Sequence, residues 1–178
     1  MAAADENKAY QASGRLAYGC SSLASAWPHG GTGLGLVGGI FLSPPSLIAA
    51  LPAEETNSAV KVLSLGGDLA VAITCRGWDN DALSVIFPNT ALSSSHRVVS
   101  FPGSTIGVAP TSLTNLVFTP NNPNHPGFVL YSVAPVLEVN AQLYFSAYRY
   151  LEIPALMIAM PDGTDRLGKL GKFSELSL

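Results

Sequence analysis

Residues 16–53 contain no Asp, Glu, Lys or Arg, and residues 98–148 contain a single one, Glu138. That gap in charge constrains the chain more than any motif in it. A compact monomer of 18.5 kDa exposes roughly 8,000 Å². Here nine basic and twelve acidic residues must serve that surface. The charged fraction is 12%, where about 25% is usual. The rest of the exterior is apolar or built from Ser, Thr, Asn and Gly, which suits a free monomer poorly. Interface cores are depleted in Lys, Glu and Asp. The pattern therefore predicts a subunit that hides much of its exterior against copies of itself.

A length of 178 residues predicts one domain. With 48% hydrophobic residues, general disorder is excluded. The longest apolar stretches, 34–42 and 155–160, are too short to span a bilayer as a helix. The opening MAAADENK is acidic and has no apolar h-region, so no secretory signal is expected. Cys20 and Cys75 fit neither CxxC nor zinc spacing and are expected to remain thiols. Net charge is −3 and the basic residues are scattered. Arg166, Lys169 and Lys172 read as a solvated tail, not as a nucleic-acid footprint.

The segment 33–38, GLGLVG, matches G-x-G-x-x-G literally. A dinucleotide loop also needs a strand before it, a helix opening inside it and an acidic residue about 20 positions on. Upstream stands AWPHGGT, a turn-rich segment, and downstream GIFLSPP, which cannot continue as a helix. Glu54 and Glu55 lie at a suitable distance, but no second strand clearly leads into them. The segment reads instead as part of a glycine-rich strand over 34–42, where another backbone passes closely or the sheet bends.

The remaining pattern is mainly β. Residues 1–14 read as a polar arm, and 14–19 as a short strand. Residues 20–33 read as a loop around Trp27, Pro28 and His29. Three prolines break 43–58, an excursion with the look of an extended hairpin arm. Strands at 60–65 and 69–76 flank Gly66, Gly67 and Asp68, a hairpin signal. A helix is expected over 79–87, capped by Asp79 or Asn80, with Ala82, Leu83 and Ile86 as its apolar stripe and Pro88 as its stop. Further strands are expected at 97–101, 113–119, 128–137, 139–147 and 151–160. The 128–137 strand is apolar on both faces and so central; Pro154 marks an edge or bulge. Asp162 and Gly163 make a turn, and the rest of 161–178 reads as a tail. The sum is seven or eight strands and one flanking helix, a β-sandwich or barrel.

Candidate chemistry is sparse. His29, His96 and His125 have no metal-ligand spacing, so no metal or cofactor is expected. His29 and His125 read as turn and loop residues. Serines 93–95 precede His96, but sequence neighbours rarely meet as nucleophile and base. Asp79 and Asp81 are explained by a helix start. Glu138 and Glu152, if opposed across a hairpin, would repel, so both are expected to face water or a lumen. Tyr144, Tyr148 and Tyr150 could line a groove, as in a carbohydrate-binding β-sandwich, but sheet-edge packing explains them as well. No catalytic constellation stands out.

In order and texture, GRLAYG, PHGGTGLGLVGGIFLSP, LGGDLAVAITCRGWDNDALSVIFPNT and the run from LVFTPNNPNHP to MPDGTDRLGK resemble the tail tube proteins of long-tailed bacteriophages. The likeness covers most of the chain and has no short diagnostic motif. It implies a single β-sandwich or barrel domain with a flanking helix and no enzymatic activity. It implies hexameric rings that stack into a hollow virion tail, assembled in the host cytoplasm, through which DNA leaves the capsid. The partners implied are copies of the chain and other tail proteins, with DNA passing unbound and no membrane. Carried onto this sequence, the excursion 43–58 becomes a candidate inter-ring arm, with Leu47, Ile48, Leu51, Glu54 and Glu55. The polar positions Asn140, Gln142 and Ser146 become candidate lumen residues. A tail terminator, hub or connector is the related alternative.

Overall fold

The computed structural model describes residues 13–43, 47–52, 59–66, 68–76, 80–87, 91–93, 98–100, 113–136, 147–148 and 151–178. They form β1 (Gly14–Tyr18), β2 (Thr32–Gly33), β3 (Leu36–Ser43), β4 (Leu47–Pro52), β5 (Ala59–Gly66), β6 (Ala70–Arg76), α1 (Asn80–Ile86), β7 (Ala91–Ser93), β8 (Val98–Ser100), β9 (Thr114–Pro120), β10 (Pro126–Val136), β11 (Glu152–Ala159) and β12 (Gly168–Lys172). The fold is mainly β, with α1 as the one α-helix among the described residues.

Eight strands make one antiparallel sheet in the order β2-β1-β9-β10-β11-β6-β3, with β12 also on β10. Its two ends are consecutive in the chain, since only Leu34 and Gly35 separate β2 from β3. The sheet therefore rolls up until its path starts and finishes on one stretch of backbone. Leu34 N–H still donates to the Leu16 carbonyl at 3.0 Å. Gly35 then takes φ +67°, a left-handed conformation that glycine adopts without penalty, and the chain leaves β1 to join β6.

The rolled interior follows from period-two patterning. In β6, Val71, Ile73 and Cys75 are buried, and in β11 Ile153, Ala155, Met157 and Ala159 are. They share one core cluster with Leu16, Leu116, Phe118, Phe128, Leu130 and Val133. Leu83, Val85, Ile86 and Phe87 join the same cluster, so α1 closes off this interior. The expected stripe Ala82, Leu83 and Ile86 is buried, and so are Val85 and Phe87. A helix set into a core buries more than one stripe. Asp79 and Pro88 lie outside the described residues.

The central position expected for β10 is observed. Its first half pairs with β9 on one side and β12 on the other; its second half pairs with β11. Val129 is fully buried on the face opposite the main core, among Ala17, Val117, Cys20 and Phe173. Pro154 lies within β11 opposite Thr74 of β6; the residues that follow Val136 of β10 lie outside the described residues.

Two expectations are corrected. The first is the hairpin at Gly66, Gly67 and Asp68: β5 and β6 do not pair with each other. β6 pairs with β3, and β5 pairs with β4. Ser43 opposes Ala70, and four residues further along each strand Leu47 opposes Gly66. The β4–β5 ribbon is a separate two-stranded sheet, in which Gly66 opposes Leu47 and does not turn β5 back against β6. The second is the tail. Asp162 does form the expected turn, its carboxylate accepting from Thr164 N–H, the Thr164 hydroxyl and Arg166 N–H at 2.7–2.9 Å. Beyond that turn the chain adds β12 to β10, then makes a 3-10 turn, Phe173–Glu175, that buries Phe173. Glu152, expected to face water or a lumen, is exposed and pairs with Arg76 of β6; Glu138 is outside the described residues. The short strand at 97–101 is present as β8, paired with β7. The strand expected over 139–147 falls almost wholly on residues not described.

Candidate assembly surface

The rolled sheet turns one face inward, so alternation exports every second residue of β3, β6, β11 and β10. Phe41, Ala72, Leu156 and Val136 stand opposite one another in one cross-strand row. Ser43, Ala70, Ile158 and Ala134 form the next, and Gly39, Thr74 and Pro154 a third. None of these positions carries a charge. Phe41 is 69% exposed and Val136 38%, with small or half-buried residues between them. Ser43 and Thr74 are the polar residues of these rows. Two of the face's four strands, β3 and β10, come from the charge-poor stretches of the sequence.

Beside this face an apolar cleft of about 200 Å³ opens into the core. Ile40 and Leu42 of β3 form one wall; Phe118 and Phe128 form the floor; Pro126, Gly127 and Leu170 form the rim. Leu170 is 68% exposed at the rim. Among the described residues no polar side chain lines the cleft.

Each glycine of GLGLVG has a packing role. A Cβ on Gly33 would enter the Trp27 ring, Gly35 holds the left-handed bend, and Gly38 lies at a register shift in β3 beneath Arg76. No helix opens in the segment, which continues as β3. The glycine-rich strand is confirmed, although what passes close to it is side chain, Trp27 and Arg76, and not backbone.

The loop before β2 is anchored by His29, which is 4% exposed at φ +60°. Its Nδ1 lies 2.8 Å from the Ser25 carbonyl, which can only accept, so Nδ1 carries the proton. Nε2 then accepts from the Thr119 hydroxyl at 2.8 Å. His29 is a turn residue, as expected, and also a buried clamp between the loop and β9. Asn115 holds the loop's other end through the Cys20 N–H and carbonyl, at 2.6 and 2.9 Å. Nothing in the local sequence distinguishes such a clamp from a solvated turn histidine.

The thiols are inert by environment. Burial pushes both Cys20 and Cys75 up to about 11, leaving little thiolate at neutral pH. The three C-terminal cations already have partners. Arg166 pairs with Asp162 at 2.8 Å and stacks on Tyr131 at 4.5 Å. Lys169 donates to Ser177 at 2.8 Å, and Lys172 approaches Glu175 at 3.6 Å. The bond from Arg166 N–H, with that from the Thr164 hydroxyl, holds the Asp162 carboxyl below the usual carboxylate range.

Of the residues singled out from sequence, Leu47, Ile48 and Leu51 lie in β4, paired with Gly66, Ser64 and Lys61 of β5. Glu54, Glu55, Asn140, Gln142, Ser146, His96, Tyr144 and Tyr150 lie outside the described residues. Tyr148 is 97% exposed. Among the described residues no group of three His, Cys, Asp or Glu could hold a metal, and no helix is long and apolar enough to cross a membrane. Sequence reading missed Phe41, Ile40, Leu42 and Leu170. The first three were visible only as a hydrophobic strand, and Leu170 was assigned to a tail. No protein-family model matches the chain, and no curated protein matches its sequence.

Proposed function

We propose that the chain is a self-assembling structural subunit of the tail-tube kind, whose copies close into rings that stack into a hollow virion tube for DNA passage. The observation that carries this reading is the outer face of β3, β6, β11 and β10, three cross-strand rows without a charge and with Phe41 exposed. A free monomer gains nothing from presenting such a face to water, whereas a ring subunit covers it at every joint. The β4–β5 ribbon supports the second step. A two-stranded ribbon is marginally stable alone, and this one is apolar in sequence apart from Lys61 and Ser64. Seated on the next ring, it acts as the inter-ring arm. The partnered state of Arg166, Lys169 and Lys172 is in keeping with a wall that lets DNA pass unbound.

Electron microscopy of the purified chain and of a deletion of residues 45–56 tests the proposal. The full chain should form rings and tubes of indefinite length, and the deletion should form rings that do not stack. Rings that never stack in the full chain would favour a terminator, hub or connector. Tubes of unchanged length from the deletion would overturn the arm.

A further inference from the structure

We propose that the cleft between β3 and β12 is a socket for Phe41 of a second copy, so that each joint in the assembly is one plug seated in one socket. This rests on the self-assembly reading and names its contact. The cleft holds about 200 Å³ and is walled by Ile40, Leu42, Phe118, Phe128 and Leu170. Apolar cavities of about 150 Å³ with such linings stay dry and take a benzene-sized group. A phenyl-sized apolar group without a hydrogen-bonding atom suits such a cleft, since its described walls supply no polar side chain to meet one.

Among the described exposed large hydrophobic residues, Phe41 is the one phenyl group and the most exposed after Tyr148, which brings a hydroxyl. Leu113, Val136, Met160 and Leu178 are aliphatic and less exposed, and Leu170 already belongs to the rim. Phe41 cannot fill its own cleft. It lies between Ile40 and Leu42 on one strand, and successive strand residues project to opposite faces. Its neighbours across the sheet, Ala72 and then Leu156, leave it standing above the surface. Plug and socket project from opposite faces of β3, and a joint that seats one plug in one socket is heterologous. Heterologous contacts propagate head to tail into closed rings or open filaments, not into two-fold dimers. Neither side of the joint carries a charge, so docking leaves no ion buried.

Two variants test the joint. Phe41→Asp removes the plug and leaves the socket; Leu170→Asp charges the rim and leaves the plug. Both positions are exposed, and far-UV circular dichroism checks that each variant folds. Leu170→Ser replaces the aspartate variant should β12 be disturbed. In sedimentation velocity each variant alone should remain monomeric where the wild type assembles. Mixed in equal amounts, they should form a 1:1 heterodimer through the one intact joint and grow no further. Assembly of either folded variant to wild-type size would overturn the socket while leaving self-assembly standing, as would a mixture of folded monomers that stays monomeric. A wild type that never associates would overturn both.

Discussion

Arg76 and Glu152 are direct register partners on β6 and β11, and two guanidinium nitrogens of the arginine reach the same carboxylate oxygen, Nε at 3.0 Å and Nη2 at 2.9 Å. Gly38 lies beneath them: a Cβ there would stand 2.6 Å from Nε and 2.8 Å from Cζ. The pair is half exposed, with side chains 44% and 51% accessible, so it stabilises by only about 0.5–1 kcal/mol. It bounds the uncharged face, setting the only charges of these strands at its margin.

Gly38→Ala should push the flexible guanidinium aside and cost about 0.5–1 kcal/mol in urea denaturation. Glu152→Gln should cost a similar amount. Because both act by breaking one contact, the double variant should lose little more than either single. Full additivity would mean that Gly38 serves the backbone and not the ion pair.

His29→Ala should destabilise the chain by about 2–3 kcal/mol, since it empties a buried site and strands the Thr119 hydroxyl. Thr119→Val removes one of the two bonds and should cost about 1 kcal/mol. Thermal unfolding of the two variants compares them directly, and equal losses would contradict the two-ended clamp.

The two buried thiols give stability a slope in alkaline solution. Their folded values lie near 11, above the ordinary 9.0, so the native state holds its protons more tightly than the unfolded chain. The stabilisation is fully present below pH 9 and is lost as pH rises towards 11. A Cys20→Ser and Cys75→Ala double variant should show a flatter denaturation profile over that window. Iodoacetamide should label the native thiols slowly at pH 7 and the urea-unfolded ones quickly.

Phe173 ties the last residues to the face of the sheet opposite the main core, against Ala17, Val117 and Val129. Its ring centroid lies 5.7 Å from that of His29. Phe173→Ala should cost about 3 kcal/mol, measured by chemical denaturation. A solvated tail would lose nothing on this change.

The period-two runs made the strands legible. The apolar run 128–137 announced a central strand buried on both faces, as β10 is. The helix was legible from Asp81 and the Ala82, Leu83, Ile86 spacing. Two things were not. Gly66, Gly67 and Asp68 have the chemistry of a tight turn, yet long-range pairing of β6 with β3 and β11 overrides that local preference. Gly168–Lys172 has two glycines and two lysines in five residues and reads as solvated. It becomes a strand because the first half of β10 offers an edge that the second half gives to β11. The uncharged face was legible as a composition and invisible as a place. Only the register sets Phe41, Ala72, Leu156 and Val136 side by side, though Phe41 and Leu156 are more than a hundred residues apart in the chain.

Sedimentation velocity of the purified wild-type chain over a hundredfold range of concentration tests the central claim most directly. The account predicts a ring-sized or larger species that gains mass as concentration rises and changes little with salt, because the covered face holds no charge. A single monomeric boundary at every concentration would contradict it.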